Sequence, residues 1–201
     1  MKTLKLGSTD VEVSALCLGT DSIGSKIDRE RSFQLLDLFR EKGGTFVDTA
    51  NFYASWVPGC QGGESETTIG LWMKQRGSRD QMVISSKLGF DYPGCGGGLT
   101  ASEIERECEK SLKRLQTDRI DLYHAHRDDP DTPLEETMEA FDRLVQAGKV
   151  RAIGASNLRV WRIAEANTVG RINGWTQYCA VEQRYTCLLY TSNAADELDG
   201  V

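Results

Sequence analysis

Short apolar runs alternate along the chain with longer segments whose apolar positions recur at helical spacing. The runs are rich in β-branched residues, which suits strands that are buried on both faces. Successive runs start roughly thirty to forty residues apart, the size of a strand–helix–strand unit. The predicted strands are Ala15–Gly19, Thr45–Asp48, Met82–Lys87, Ile120–His126, Val150–Ala155 and Cys179–Gln183.

Helix signals lie between these strands. The pattern predicts a first helix over Asp28–Lys42, which ends at two glycines. A capping box formed by Thr100 and Glu103 precedes an amphipathic stripe and predicts a second helix. Thr132 is the predicted N-cap of a third helix, with the following proline at its first position. A weaker pattern predicts a fourth helix over Val160–Asn167.

Alternation of strands and helices predicts an α/β protein with a parallel sheet, either doubly wound or closed as a barrel. A dinucleotide-binding turn would need a middle glycine that Gly19–Gly24 lacks. Polar residues follow successive strands, which favours the barrel because its chemistry lies at the carboxyl ends of its strands. Two long loops on that side, Ala54–Gly63 and Phe90–Gly98, are predicted to line a substrate site, with Trp56 as an apolar wall.

Three of these polar residues make a tunable proton donor. A free phenol such as Tyr53 has a pKa near 10, and the ammonium of Lys87 would lower that pKa by stabilising the phenolate. A carboxylate such as Asp48 would fix the lysine and keep it charged. The alternatives are that Tyr53 is a loop aromatic packing on the rim and that Lys87 is a surface lysine.

Further polar residues follow the fourth and fifth strands. His126 could orient a substrate carbonyl by donating a hydrogen bond, and His124 would be a hydrogen-bonded filler inside the barrel. The alternative is that the two histidines form a metal pair in a hydrolase. Ser156 and Asn157 offer the hydroxyl and amide that could hold a carboxamide, or they could be the N-cap of the next helix.

Composition excludes several classes of protein. The apolar share is 39%, the charged share is 27% and the net charge is −6, so nucleic acid and anionic membrane are not expected partners. The six cysteines form no C-x-x-C pair, which predicts a reducing, cytoplasmic location without disulfides or a metal. No apolar stretch is long enough to span a bilayer, and the N-terminus is too polar for a signal peptide.

At this point the chain resembles the aldo-keto reductase family. The matching pieces run in order from about Leu4 to Tyr185, and the ordered set is far more specific than any one piece. They are Leu18-Gly19-Thr20, Phe46–Ala50 with Tyr53, Gly63–Glu66 before Ile69-Gly70, Ser86-Lys87, Asp121–Tyr123 ending at His126, Gly148–Gly154 and Ser156-Asn157.

The resemblance implies a (β/α)8 TIM barrel that reduces small-molecule aldehydes or ketones by hydride transfer from NADPH, or less often from NADH. It implies that Tyr53 is the general acid, that Lys87 and Asp48 tune it, and that His126 orients the carbonyl. A nicotinamide cofactor supplies the hydride in such a site, and the protein supplies orientation and charge.

The resemblance also implies a set of cofactor-binding residues. In the family, a glutamine on the sixth strand lies three residues before a tyrosine. Here that position holds Glu182, so we assign the role to the adjacent Gln183. The complete set is Gly19 and Thr20 near the ribose, Asp48, Ser156 and Asn157 at the carboxamide, and Gln183.

The chain supplies only about six of the eight strand–helix units that the resemblance implies. We therefore expect residues 1–186 to form a partial aldo-keto reductase barrel, truncated at its C-terminal end. Residues 187–201, from Cys187 onward, do not continue the family pattern and are predicted to be a non-native or disordered tail, the alternative being an ordinary divergent terminus. The alternative function is an inactive fragment, or a regulatory or binding relative of the same fold.

Overall fold

A computed structural model describes residues 1–184 of the chain. The predicted tail over residues 187–201 therefore lies outside the described residues, and it stays a prediction. The described strands are β1 (Thr3–Lys5), β2 (Glu12–Ser14), β3 (Cys17–Gly19), β4 (Phe46–Asp48), β5 (Val83–Leu88), β6 (Ile120–Ala125), β7 (Val150–Ser156) and β8 (Tyr178–Glu182). The helices are α1 (Arg29–Glu41), α2 (Glu64–Arg76), α3 (Ala101–Leu115), α4 (Leu134–Gln146) and α5 (Val160–Asn173), with a 3-10 turn over Arg79–Gln81.

The main sheet confirms the predicted architecture. Its strands lie in the order β3-β4-β5-β6-β7-β8, and all neighbours are parallel. One helix connects each strand to the next, so each unit is a strand–helix–strand crossover. Within residues 1–184 this gives a curled six-stranded sheet with helices on its outer face, which is an incomplete (β/α)8 barrel.

The predicted strands all appear, with ends that differ from the prediction by at most two residues. The predicted helix start at Thr100 is also confirmed, because its hydroxyl accepts a hydrogen bond from the backbone N–H of Glu103 at 3.3 Å. The predicted N-cap at Thr132 is wrong. Its hydroxyl donates to the carboxylate of Asp129 at 2.6 Å, and Pro133 occupies the N-cap position instead.

A short N-terminal hairpin, which the sequence pattern did not predict, closes the amino-terminal end of the sheet. β1 and β2 pair antiparallel, and the hairpin buries Val11 and Val13. Its turn places Gly7 against β8, where a Cβ atom would lie 2.5 Å from the carbonyl oxygen of Cys179. The hairpin thus joins the region before β3 to the strand at the opposite edge of the sheet, which supports the curl.

The core lies between the outer face of the sheet and the helices. Its largest apolar side chains are Trp72 of α2, Phe141 of α4 and Tyr123 of β6, all of which are fully buried. Ile104 of α3 packs in the same cluster. This layer fixes the positions of the strands, and therefore of the polar residues at their carboxyl ends. Among residues 1–184, no helix combines the length and apolar character that a bilayer span requires.

Candidate active site

Four predicted residues meet at the carboxyl ends of neighbouring strands. Asp48 is the last residue of β4, and Tyr53 follows it in the loop to α2. Lys87 lies near the end of β5, where it is level with His124 of β6. His126 comes directly after β6. Because parallel strands end at the same edge of a sheet, residues far apart in sequence become neighbours here.

Lys87 is the centre of the site. Its side chain is fully buried, and its ammonium forms an ion pair with the Asp48 carboxylate. The same ammonium donates to the Tyr53 hydroxyl at 2.9 Å and to the carbonyl oxygen of Thr49 at 3.1 Å. Lysine is almost never buried without partners, so this one is not the surface lysine of the alternative interpretation. The side chain is held by contacts on several sides and points at one phenol oxygen.

Asp48 is held as firmly as the lysine it contacts. One carboxylate oxygen accepts a hydrogen bond from the Ser85 hydroxyl at 2.8 Å. The backbone carbonyl of Asp48 accepts from the Thr20 hydroxyl at 2.7 Å, and that hydroxyl also contacts the hydroxyl of Ser65. Thr20 and Gly19 therefore lie beside the aspartate that holds Lys87. Their predicted contact with a cofactor ribose remains a prediction.

The pKa of the Tyr53 phenol lies above its ordinary value, which differs from the predicted direction. Burial is the largest cause, and the negative charge of Asp48 adds to it. Lys87 acts in the predicted direction, since its charge and its hydrogen bond both lower the pKa, but these effects are smaller. Tyr53 is consequently protonated at neutral pH, which is the form that a proton donor needs.

Glu182 is a further charged group at this site. Its carboxylate lies 3.5 Å from the ammonium of Lys87 and 3.6 Å from Nδ1 of His124. Burial and the nearby charge of Asp48 raise the pKa of Glu182. Burial alone would lower the pKa of Lys87, but Asp48, Tyr53 and Glu182 together raise it. The lysine is therefore positively charged and lies among several groups that favour its charge.

The neighbouring Gln183 makes a different contact. Its side-chain amide donates to the carbonyl oxygen of Leu158 at 2.6 Å, away from Lys87. Successive side chains of a strand point to opposite faces, so only one residue of this pair can face the interior of the sheet. That residue is Glu182. The family's three-residue spacing also marks Glu182, whereas the cofactor contact assigned to Gln183 stays a prediction.

His126 lies beside the phenol in a cluster of aromatic rings. Its ring centroid is 5.9 Å from that of Tyr53 and 5.1 Å from that of Phe52. Burial, with help from the charge of Lys87, lowers the pKa of His126 to about 2. The imidazole is therefore neutral at physiological pH and can donate one N–H hydrogen bond.

His124 fills the interior of the sheet, but it is not the hydrogen-bonded filler that the sequence predicted. Neither ring nitrogen has a hydrogen-bond partner among residues 1–184, because the nearest carboxylate, that of Glu182, is 3.6 Å away. Burial and the charge of Lys87 lower the pKa of His124 to about 3, so the ring is neutral. Gly154 makes room for it, since a Cβ there would lie 2.4 Å from the imidazole.

Ser156 is the last residue of β7, and Asn157 follows it beside the site. Asn157 donates to the backbone carbonyl of His126 at 2.9 Å and to the Ser156 hydroxyl at 3.0 Å. The alternative of a helix N-cap does not hold, because Arg159 occupies the N-cap position of α5. The amide thus connects the end of β7 to the histidine. Its predicted contact with a carboxamide remains a prediction.

One cluster among residues 1–184 has spacing suitable for a metal ion, and it does not include either histidine. It consists of Cys95, Glu103 and Glu107. Its carboxylates already form ion pairs, since Arg106 contacts both and Lys110 contacts Glu107. These cations compensate the negative charge that would attract a metal ion. The His124–His126 metal pair of the alternative interpretation gains no third ligand from this cluster.

The inner face of the curled sheet encloses a cavity of about 350 Å³. Its walls come from the hairpin turn, from β3, β4 and β6, and from β8. The lining residues are Leu6, Cys17, Gly19, Phe46, Asp48, Leu122, His124, Ala180, Val181 and Glu182. Asp48 and Glu182 thus face both this cavity and Lys87.

The strand ends of this barrel-type sheet hold a buried lysine with its aspartate, a phenol and a neutral histidine. Together these side chains form an enzyme-like site. Comparison with known proteins agrees with it. The sequence model of the Aldo/keto reductase family matches residues 15–198. This range includes most of the predicted tail. The chain belongs to the aldo/keto reductase family.

Several curated proteins are similar to this chain in sequence. A norsolorinic acid reductase of Emericella nidulans is 38% identical over 88% of this chain and 48% of its own length. An uncharacterized oxidoreductase of Bacillus subtilis, YrpG, is 36% identical over 96% of this chain and 60% of its own length. An aryl-alcohol dehydrogenase of Pestalotiopsis microspora is 37% identical over 89% and 48%. The chain spans about half the length of most of these relatives.

Proposed function

We propose that this chain carries the catalytic residues of a nicotinamide-dependent carbonyl reductase in which Tyr53 is the general acid. The observation that carries the proposal is the contact between the buried Lys87 ammonium and the Tyr53 hydroxyl at 2.9 Å. Family membership and the oxidoreductase names of the relatives support the reaction class. The substrate is a small-molecule aldehyde or ketone, and the product is the corresponding alcohol.

Tyr53 donates its proton to the oxygen of the substrate carbonyl as negative charge develops there. The phenolate that remains is stabilised by the Lys87 ammonium, which already lies within hydrogen-bond distance. Asp48 holds the lysine in position and keeps it charged. A proton donor whose charged form is stabilised in this way commonly contributes a factor of roughly 10²–10⁴ to a rate.

His126 polarises the same carbonyl oxygen by donating a hydrogen bond. A neutral imidazole suits this role, because it donates an N–H without adding a full positive charge to the site. The Asn157 amide fixes the backbone of His126 from the adjacent strand. Tyr53, in the loop after β4, and His126, directly after β6, then approach the oxygen from the two sides of β5.

The residues present fit a nicotinamide cofactor. Ser156 and Asn157 offer a hydroxyl and an amide beside His126, and Asp48 and Glu182 face the adjoining cavity. Such a cofactor supplies the hydride when it is bound. We propose NADP(H) in preference to NAD(H), with Gly19, Thr20, Asp48, Ser156, Asn157 and Gln183 as its contacts and no metal ion.

We retain the prediction of a cytoplasmic location and of no nucleic-acid or membrane partner. Five cysteines lie among residues 1–184, and each is a free thiol. Free thiols are typical of a reducing compartment, which supports this location.

A second candidate is a catalytically inactive fragment or a binding relative of the same fold. The observation that favours it is that Glu182, at the position where the family has a glutamine, places a second carboxylate 3.5 Å from the Lys87 ammonium. Purified protein should be assayed with NADPH and with NADH, using benzaldehyde and hexanal as substrates. The reductase proposal predicts aldehyde-dependent cofactor oxidation with stoichiometric alcohol, faster with NADPH. Cofactor binding without any alcohol formation would support the second candidate instead.

A further inference from the structure

Glu182 adds an unbalanced negative charge to the strand ends of the site. Its carboxylate lies 3.5 Å from the Lys87 ammonium, but that ammonium already forms an ion pair with Asp48. His124 and His126 add no positive charge, because burial holds their pKa values far below the physiological range. One cation therefore balances only one of the two carboxylates, and the site has an excess of one negative charge.

The other charged side chains near this edge of the sheet pair with each other. Arg127 lies 3.8 Å from Asp91, and Arg162 lies 3.1 Å from Asp128. Apart from the lysine, Glu182 has no cationic partner in the part of the chain that the structure describes. Its carboxylate also lines the cavity on the inner face of the sheet. The excess charge is therefore accessible to a positively charged ligand in that cavity.

The backbone places Glu182 beside the groups proposed to hold the nicotinamide. It is paired in register with Ser156 of β7, and its carbonyl oxygen accepts a hydrogen bond from the backbone N–H of Asn157 at 3.3 Å. Register partners in a parallel sheet point to the same face, so the side chains of Ser156 and Glu182 both face the inside of the curl. A ring held by Ser156 and Asn157 therefore lies next to the Glu182 carboxylate.

The chemistry of reduction also requires the ring to be close to this charge. Reduction moves a hydride to the carbonyl carbon and the Tyr53 proton to the oxygen bonded to it. The ring must therefore come within about 3–3.5 Å of that carbon. The Tyr53 hydroxyl accepts a hydrogen bond from Lys87 at 2.9 Å, and Glu182 lies 3.5 Å from the same ammonium. Departure of the hydride leaves the ring with one positive charge, near the unbalanced carboxylate.

We propose that Glu182 makes the site selective for the oxidised form of the nicotinamide cofactor, by pairing its carboxylate with the positively charged ring. This inference rests on the proposed function, since it names the oxidation state that the same site prefers. Selective binding of the oxidised form makes the bound reduced form a stronger hydride donor, because the site then favours the product of the transfer. The carboxylate also stabilises the positive charge as it develops on the ring.

The size of the effect depends on screening by water. The Glu182 side chain is 44% exposed, so its attraction for the ring is partly screened. Exposed ion pairs change an equilibrium constant by up to roughly fivefold, and pairs in a less polar environment change it by more. The glutamine that the family has at this position carries no charge, so the selectivity belongs to the glutamate of this chain.

The test compares the wild type with Glu182→Gln, in which an amide of nearly the same size replaces the carboxylate. The dissociation constants of NADP+ and NADPH are measured by calorimetric titration of the purified chain. A buffer at pH 8 keeps Glu182 ionised, although burial and Asp48 raise its pKa. We expect the ratio of the NADPH constant to the NADP+ constant to fall by roughly fivefold in Glu182→Gln. NAD+ and NADH should show the same change, since the ring and not the 2′-phosphate is recognised.

Two further variants separate this local charge from other effects. Glu182→Asp keeps the charge on a shorter side chain, and it should keep part of the wild-type ratio. Asp118→Asn removes an exposed carboxylate before β6 at the opposite end of the sheet, and it should leave the ratio unchanged.

Three results would contradict the inference. They are equal ratios in wild type and Glu182→Gln, an equal fall of the ratio in Asp118→Asn, and no saturable binding of either form of the cofactor. Turnover of an aldehyde separates the two proposals. If the ratio falls as expected but the wild type forms no alcohol, the selectivity stands and the reductase proposal fails. If the wild type forms alcohol but the ratio does not depend on Glu182, the reductase proposal stands and the selectivity fails.

Discussion

Three polar or charged side chains surround the Lys87 ammonium. Asp48 is close enough for an ion pair, Tyr53 accepts a hydrogen bond and Glu182 lies 3.5 Å away. Each partner favours the charged lysine. The negative charges of the two carboxylates also disfavour ionisation of the phenol, which is one reason why the Tyr53 pKa is raised. The tendency of Tyr53 to hold its proton therefore depends on the balance of these side chains.

Glu182→Gln should shift the pH dependence of carbonyl reduction. Removing one negative charge lowers the pKa of Tyr53, and reduction needs the protonated phenol. The loss of kcat/KM at high pH should therefore begin at lower pH. The pH profile of kcat/KM tests this. Asp118→Asn is the control, since its carboxylate is exposed and precedes β6 at the opposite end of the sheet. An unchanged profile in Glu182→Gln would show that this charge does not reach the phenol.

At the scale of whole elements, α2 packs closely against α3. Gly70 of α2 lies against the end of α3, where a Cβ would be 2.3 Å from the carbonyl oxygen of Arg114. The buried carboxylate of Glu66 accepts a hydrogen bond from the Arg114 guanidinium at 2.6 Å and another from the Ser86 hydroxyl at 2.6 Å. The two helices are thus fixed to each other and to β5.

Gly70→Ala should destabilise the fold, because the added methyl group meets backbone atoms that cannot rotate away. Overpacking of this kind costs about 1–3 kcal/mol. The free energies of unfolding of Gly70→Ala and of the wild type, measured by urea titration, test this prediction. Gly96→Ala is the matched control, since no atom lies within 4 Å of its Cβ position and it should change stability little. Equal stabilities for the two variants would contradict the close packing of these helices.

Sequence pattern predicted some elements and missed others for physical reasons. The central strands β5, β6 and β7 were recognisable because both faces are buried and their runs are apolar. The α2 helix was missed because its buried positions include Glu66 and Ser65 along with Ile69 and Trp72, so no apolar stripe marks it. The hairpin strands are three residues long, and β1 is wholly exposed, which leaves almost no periodic signal.

The candidate site was more predictable than the helices around it. Strand ends placed Asp48, Lys87 and His126 together without any knowledge of tertiary contacts. The direction of the Tyr53 pKa shift could not be predicted in this way. It depends on burial and on the contribution of Asp48, which are set by packing distances that a sequence does not contain.

The whole molecule buries two neutral histidines at the centre of its sheet. His124 and His126 have pKa values of about 3 and about 2 in the folded chain, against about 6.5 when unfolded. Below pH 6.5 the unfolded chain therefore binds more protons than the folded chain. The stability of the fold should fall as the pH falls through this range.

His124→Asn should reduce this acid sensitivity. Each pH unit below 6.5 costs about 1.4 kcal/mol for one histidine that is kept neutral by burial. At pH 5.5 the variant should therefore lose about 1.4 kcal/mol less than wild type, relative to each protein at pH 7.5. Urea midpoints at the two pH values measure the difference. Identical losses in both proteins would mean that His124 protonates normally in the folded chain.

The role of Tyr53 as general acid is tested most directly by comparing Tyr53→Phe with Tyr92→Phe. The Tyr53 hydroxyl donates to the Asp48 carboxylate at 3.3 Å. Tyr92 is the matched control, because its hydroxyl donates to the buried carboxylate of Glu107 at 2.5 Å but does not contact Lys87. The measurement is kcat for NADPH-dependent aldehyde reduction, with the NADPH dissociation constant measured alongside. We predict that kcat falls by about 10²–10⁴ in Tyr53→Phe alone, while cofactor affinity is nearly unchanged. Near wild-type turnover in Tyr53→Phe would contradict the account.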